Sequence, residues 1–361
     1  MKYFLALVLF CFVGLEVSYA QSGAQALRLA QSIYEQGRLH ELPFLEGLKP
    51  EKIATYSKSE QVTAYRLLTL AHIYLEEPEQ ADVAMLQLLD ADHFYEPNSN
   101  VEPAEFMGLY KTFRTRPVFN IGVKFGANTT IPLLSSIYYV SSNAEGNGKY
   151  APKVGIQYGL VFEKEFFNNS KKAILKRLIF APEILLMGRT FGYTNKALFY
   201  DDQTGVSAAD QKVTLKQNWL DINPVFQLKV GKGKSTSFIP YLGFGPGVSY
   251  LLKATNSEIT TRASSAGAVI GPDVVTTSGF RKLLPSVIAS AGFKYRFGDV
   301  YVAVEGRVQY TLMNPVNSSK RTINQSVFEY NYTTPNYKPL NFIINVGIIF
   351  PYFKPIKLIR K

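Results

Sequence analysis

The chain has 361 residues, among them 39 Lys or Arg, 28 Asp or Glu, three His and one Cys. The lone Cys11 lies in an apolar leader, so the mature chain has no thiol for a disulfide or a thiolate metal site, and three scattered histidines have no metal-ligand spacing. Charge divides the chain in two: Gln21 to Glu105 hold 14 acidic and six basic side chains, a net of −8, and the remainder carries +19 to reach the overall +11, which implies two differently built parts.

Residues 1–20, MKYFLALVLFCFVGLEVSYA, combine Lys2, an apolar core and the small residues Ser18 and Ala20 at cleavage spacing, the pattern of a secretory signal peptide. An exported chain rarely meets nucleic acid, and nucleic-acid binding is not expected. No later apolar run approaches the roughly 18–20 residues of a spanning helix, so entry into a membrane would be by strands.

Residues 21–113 read as helical. In SEQVTAYRLLTLAHIYLEEPEQADVAMLQLLDAD, Leu67, Leu70, Ala71 and Tyr74 share one helical face. Pro78 starts a new helix, striped by Ala81, Met85, Leu88 and Leu89. Two packed antiparallel helices follow, and the pair resembles one tetratricopeptide unit.

After Arg114-Thr115-Arg116-Pro117 the apolar period changes from 3.6 to two. Eight strands follow: PVFNIGVKFGANTT, KVGIQYGLVFEKEF, RLIFAPEILLMGRTFGY, VTLKQNWLDINPVFQLKV, FIPYLGFGPGVSYLL, Val287 to Phe297, Val300 to Tyr310, and LNFIINVGIIF. Gly298-Asp299 forms the tight turn between the sixth and seventh, because glycine supplies the positive φ such a turn demands. The joins at 128–150, 194–210, 253–283 and 314–337 are long and rich in Ser, Thr, Asn and Gly, whereas those at 166–176, 231–236 and 298–299 are short. Such alternation is that of an up-and-down transmembrane barrel with its short turns in the periplasm. The expected fold is therefore mainly β: an eight-stranded antiparallel barrel over 117–350, a periplasmic N-terminal α-helical domain over 21–113, and a basic periplasmic tail over 351–361. Four prolines each remove a ladder donor. Pro182, Pro224 and Pro240 fall toward the short-turn rim, and Pro246 lies deeper.

Alternation does not say which face is inside, since an eight-stranded soluble barrel of lipocalin type alternates equally well. Aromatic residues at strand ends, Phe119, Phe125, Phe162, Phe191, Tyr193, Phe226, Tyr250, Tyr310 and Phe350, suit the interfacial girdles of a membrane barrel. The opposite face carries Glu163, Glu183, Asp221 and Glu305 against Lys124, Arg189, Lys229, Lys294, Arg296 and Arg307. Those charges are expected to fill a narrow lumen as ion pairs, with Arg189, Arg296 or Arg307 as the partner of Glu305.

With PYLGFGPGVSYLL and AGFKYRFGD in such a frame, residues 117–350 resemble the PorT-type outer-membrane β-barrel proteins of Bacteroidota. That resemblance implies an eight-stranded barrel without a catalytic signature and an association with type IX secretion and gliding motility.

The residues themselves offer little chemistry. His40, His72 and His93 all fall in the helical part, away from any outer rim where a barrel hydrolase acting on lipid A would need one. No enzyme activity, cofactor or metal is expected. Basic residues are the remaining signal: Lys171, Lys172, Lys176, Arg177, Lys232 and Lys234 in the short turns, and Lys354, Lys357, Arg360 and Lys361 in the tail, all on the expected periplasmic rim. They would meet anionic lipid headgroups, the acidic helical domain or a protein partner. The expected function is envelope assembly, anchoring or a secretion or gliding machine served through the helical domain. The alternatives are adhesion through the long loops and, further off, lipid modification.

Overall fold

The computed structural model describes residues 20–140, 148–167, 170–201, 206–230, 237–263, 268–322 and 330–358. The expected signal peptide up to Tyr19, and the rim residues Lys232, Lys234, Arg360 and Lys361, lie outside the described residues. The chain forms two units: one of Met1–Pro117 with Phe353–Lys361, the other of Val118–Tyr352.

The first unit contains α1 (Ala20–Glu35), α2 (Pro50–Ile53), α3 (Lys58–Tyr74), α4 (Pro78–Ala91) and α5 (Ala104–Tyr110). Ser57 and Glu60 start α3 with a capping box, Glu60 accepting from the Ser57 backbone N–H at 2.9 Å. Pro78 occupies the first turn of α4, where its missing N–H costs nothing. Leu67, Leu70 and Ala71 of α3 and Ala81, Met85, Leu88 and Leu89 of α4 are buried, while Tyr74, expected on the same stripe, is exposed at the end of its helix. Arg66 makes a forked ion pair with Glu102, at 2.6 and 3.1 Å, which fastens the segment before α5 to α3.

The tail belongs to this unit. The Arg114 N–H donates to Ile356 O at 2.9 Å and the Leu358 N–H to Thr112 O at 2.7 Å, so residues 112–114 and 356–358 run antiparallel. The Phe353 ring stacks on His93 and meets Phe94 edge-on, both at 5.0 Å between centroids. Lys357 bonds Asp82. Lys354 and Lys357 thus belong to the helical unit.

The second unit is a closed ring of eight antiparallel strands: β1 (Phe119–Ser136), β2 (Val154–Glu163), β3 (Leu178–Asp201), β4 (Val206–Lys229), β5 (Phe238–Ala263), β6 (Leu283–Phe297), β7 (Val300–Thr311) and β8 (Asn336–Tyr352). Each pairs with its sequence neighbours, and β1 closes on β8 from Phe119↔Tyr352 to Ser136↔Asn336. Gly298, at φ +60°, makes the turn that sets Phe297 opposite Val300. Closure leaves no sheet edge within the ring.

Two kinds of feature differ from expectation, for one reason. Three joins expected as loops are partly strand: 128–136 belongs to β1 and Gly148–Pro152 forms a short strand against β3, 194–210 is strand on both sides of residues 202–205, and 253–263 belongs to β5. The cause is length, because β1 has 18 residues, β3 and β4 have 24 each and β5 has 26, when a tilted spanning strand needs only about 9–11. Phe191 and Tyr193, expected in an outer girdle, are buried inside, since they share the parity of Glu183 and Arg189 and the alternation is unbroken to Asn195. Alongside Val213, Leu215, Trp219, Leu251, Phe280, Tyr332 and Tyr337 they form an apolar core at the long-loop end. Lower down, the outward side chains are Ile156, Leu160, Ile184, Ile222, Phe244, Ile344 and Ile348, all exposed. The outer solvent therefore changes along a strand: apolar side chains point out at belt height, and above it polar ones do, with apolar ones turned in.

The prolines also find their place. Pro182 pairs with Pro224, and Pro224 stands across from Pro246 where the β4–β5 ladder is interrupted between Ile222↔Val248 and Phe226↔Phe244. Two residues without an N–H share one gap, so the missing donors leave no second break in that ladder.

Candidate functional site

The polar face of the ring is its inside. Among the described residues, the buried charges there are four cations, Lys124, Arg189, Lys294 and Arg307, and four anions, Glu163, Glu183, Asp221 and Glu305. They form three groups along the barrel. At the centre, Lys124 Nζ lies 2.8 Å from Glu183 and 3.4 Å from Glu305, while Arg307 Nη2 lies 2.7 Å from each of the same two carboxylates. Each cation touches both anions, a closed square contributed by β1, β3 and β7. Toward the short turns, Lys294 pairs with Glu163 at 2.6 Å and donates to Gln227 at 2.8 Å, and Asn120 donates to Glu163 at 3.0 Å. Toward the long loops, Arg189 pairs with Asp221 at 2.7 Å, donates to Ser249 at 2.9 Å and lies 5.1 Å from the Trp219 ring.

Removing a charge from water costs several kcal/mol, and only close, fully bonded partners offset it. Neutral groups supply part of those extra bonds, while Glu183 Oε2, Arg189 Nη1, Asp221 Oδ1 and Arg307 Nε and Nη1 are buried without a hydrogen-bond partner among the described residues. Glu305 accepts from Tyr241 at 3.1 Å and Asn345 at 3.2 Å; Asp221 accepts from Gln309 at 3.0 Å, which also donates to Ser286 at 3.1 Å. The Trp219 N–H donates to Gln217, which donates to the Tyr337 hydroxyl at 2.9 Å, so the ion pairs pass into the apolar core without a break.

Two of the expected lumen charges share the inward parity of their strands but are only half-buried. Arg296 is half-buried at the short-turn end of β6, and Lys229, also half-buried, pairs with Glu165 at the end of the barrel. Glu305 is partnered by Arg307 and Lys124, while Arg189 belongs to the Asp221 group. Tyr241, Asn345, Gln309 and Gln217 were missed by reading for charge. Their signal was parity, since each lies on the inward face of its strand with the charged groups. Of the short-turn lysines, Lys171, Lys172 and Lys176 are exposed and Arg177 is half-buried. His72 pairs with Glu77 and His93 carries the Phe353 ring, both within the helical unit, as is the exposed His40.

A family model described as outer membrane protein beta-barrel domain matches residues 112–317, more than half of the chain. The chain belongs to that family. The apolar belt of this outer-membrane barrel thus faces lipid, and the lipocalin alternative, with its apolar face inward, is set aside. No curated protein matches the sequence. Among solved structures, Neisserial surface protein A is 12% identical over 65% of this chain and 97% of its own, with a TM-score of 0.30. OprG from Pseudomonas aeruginosa is 14% identical over 66% and 98%, at 0.31, and the outer membrane protease OmpT from Escherichia coli is 10% identical over 65% and 96%, at 0.32. At such scores these likenesses lend no weight to any reading of this chain's role.

Proposed function

We propose that this protein is a non-enzymatic outer-membrane anchor whose barrel carries the helical unit on the periplasmic side, where it serves envelope assembly or a secretion or gliding machine. The lumen carries this reading. Its charges are balanced four against four and bonded to one another, and the long-loop end is closed by an apolar core. Among the described residues each buried lumen carboxylate is paired with a cation, which supports a barrel that acts through its two ends. An α3–α4 hairpin resembling a tetratricopeptide unit, with Val83 exposed on it and Phe44 exposed ahead of α2, supports a protein partner in the periplasm or outer membrane. The resemblance to PorT-type proteins supports the secretion and gliding branch.

Adhesion is the competing reading, favoured by the packing of loop residues Phe280, Val316 and Tyr332 into an ordered core with the strands. A photo-crosslinking residue at Val83 in whole envelopes is expected to trap a discrete partner, and deletion of residues 21–113 to abolish the cellular phenotype while leaving the barrel inserted. A deletion without phenotype, against loss of function on shortening the long loops, would replace the anchor with an adhesin. For orientation, Ser318→Cys should react with an impermeant maleimide on intact cells and Lys171→Cys should not; the reverse pattern inverts the topology.

A further inference from the structure

On the outer wall, immediately past the apolar belt on the long-loop side, positive charge gathers across β2 to β6. Lys153 directly precedes Val154 and Lys253 directly follows Leu252, two apolar residues that are exposed at the belt's upper edge. Lys216 is four residues above Leu220 on β4, about 13 Å along the strand and roughly 10 Å in height at a tilt near 40°. Lys212 lies four residues further along β4, and Lys282 adjoins Lys253 because the Leu251 N–H donates to the Lys282 carbonyl at 2.8 Å. All five lysines are exposed.

One acid organises the middle of this patch. Glu258 has φ +54°, a left-handed conformation that L residues rarely hold, beside the register shift at Lys212/Thr214. Its carboxylate accepts from Lys153 Nζ at 3.0 Å and Thr214 Oγ1 at 2.6 Å and lies 3.7 Å from Lys216 Nζ. Lys153 reaches it by lying over the outer face of β3, where a Cβ on Gly192 would stand 3.3 Å from its Cε. The β3 wall beneath offers small outward residues, Gly188, Thr190, Gly192 and Thr194, in place of bulky ones. The result is a cluster of exposed cations around one carboxylate, with Lys153 laid over the small residues of β3 and exposed apolar side chains directly below.

We propose that this surface binds a phosphorylated glycolipid of lipid A type in the outer leaflet: phosphate among Lys153, Lys216 and Lys253, and acyl chains against the apolar belt. Charge complementarity and position choose the occupant. A free anion would use the cations but not the adjoining belt; an acidic protein would not need its lysines set directly above exposed apolar side chains. Clustered basic groups beside a bilayer attract an anionic headgroup, and three lysines offset by the one carboxylate of Glu258 amount to roughly thirtyfold in affinity. The proposal rests on the long-loop end facing outward.

The test uses the full chain purified in detergent, with bisphosphorylated lipid A, its dephosphorylated form and phosphatidylglycerol as probes, and native mass spectrometry as the readout. The phosphorylated form should bind at least tenfold more tightly than either other lipid. Lys153→Gln/Lys216→Gln/Lys253→Gln should erase that preference, and Arg at the same three positions should keep it. Lys171→Gln/Lys172→Gln, at the opposite end, should leave it unchanged. Equal binding of both lipid A forms, equal binding of phosphatidylglycerol, or loss in the short-turn variant would each overturn the site. Binding in detergent does not depend on orientation, so a site that holds its lipid while Ser318→Cys fails to label would condemn the topology alone.

Discussion

Glu305→Leu tests the central square. Glu305 accepts from Arg307 at 2.7 Å, Lys124 at 3.4 Å, Tyr241 at 3.1 Å and Asn345 at 3.2 Å. Leucine leaves two buried cations sharing Glu183 and strips an acceptor from two neutral donors. Breaking a buried ion pair costs about 3–5 kcal/mol, and each orphaned neutral donor about 1 kcal/mol or more. Because Glu183 still holds both cations, a loss of about 4 kcal/mol is expected. Glu305→Leu/Arg307→Leu leaves the neutral pair Lys124–Glu183, so the double variant should be more stable than the two single losses predict by about 2 kcal/mol. Combining Glu305→Leu with Arg189→Leu should give additive losses within about 0.5 kcal/mol, because Arg189 is bonded to Asp221 and Ser249. Urea unfolding of barrel refolded into lipid vesicles measures all of these. Trp219, the only tryptophan, is fully buried and serves as the probe. Its emission baseline will shift when Arg189, 5.1 Å away, is replaced, so electrophoretic mobility should be followed in parallel. Equal coupling of Glu305 to Arg307 and to Arg189 would refute the division of the lumen into separate groups.

Phe353→Ala should destabilise the helical unit by about 1–3 kcal/mol by stripping the ring contacts from His93 and Phe94, seen as faster proteolysis within residues 21–117. Burial, with Glu102 nearby, pushes the Tyr95 phenol up to about 12. A raised folded-state value means stability that is fully present below about pH 10 and lost as pH climbs toward 12; helical melting temperatures should fall across that window, and Tyr95→Phe should flatten the fall. Gly298→Val forces a β-branched residue to φ +60° and should cost about 1–2 kcal/mol or more, read as a lower yield of refolded barrel.

Much of the ring was legible because two unlike solvents wrote it. At belt height, lipid outside and ion pairs inside impose strict alternation, and Val302, Val304 and Val308 against Ala303, Glu305 and Arg307 reveal strand, face and turn together. Where the wall rises into water, the same parity carries Thr190, Thr194 and Lys212 outward and Phe191, Tyr193 and Val213 inward. Composition there is that of a loop, which is why 194–210 passed for one. The interrupted ladder at Pro224 and Pro246 was hidden for another reason: a proline is costly in a strand only if its neighbour needs the missing donor, and the neighbour's identity is a matter of register. The lattice partners of Glu305 needed register too, since Lys124 is 181 residues away in sequence.

The stacking of Phe353 on His93 and Phe94 ties the order of synthesis to the maturity of the molecule. Helical residues emerge first and strand residues after them, yet the ring that covers His93 follows the last strand of the barrel. A polypeptide cut short anywhere among its strands would leave that aromatic surface bare and residues 112–114 without their antiparallel partner. Such a fragment presents an unpaired backbone and an apolar face to proteases, while a chain that runs on through Leu358 hides both. The first unit thereby keeps a record of whether the segment after the last strand arrived.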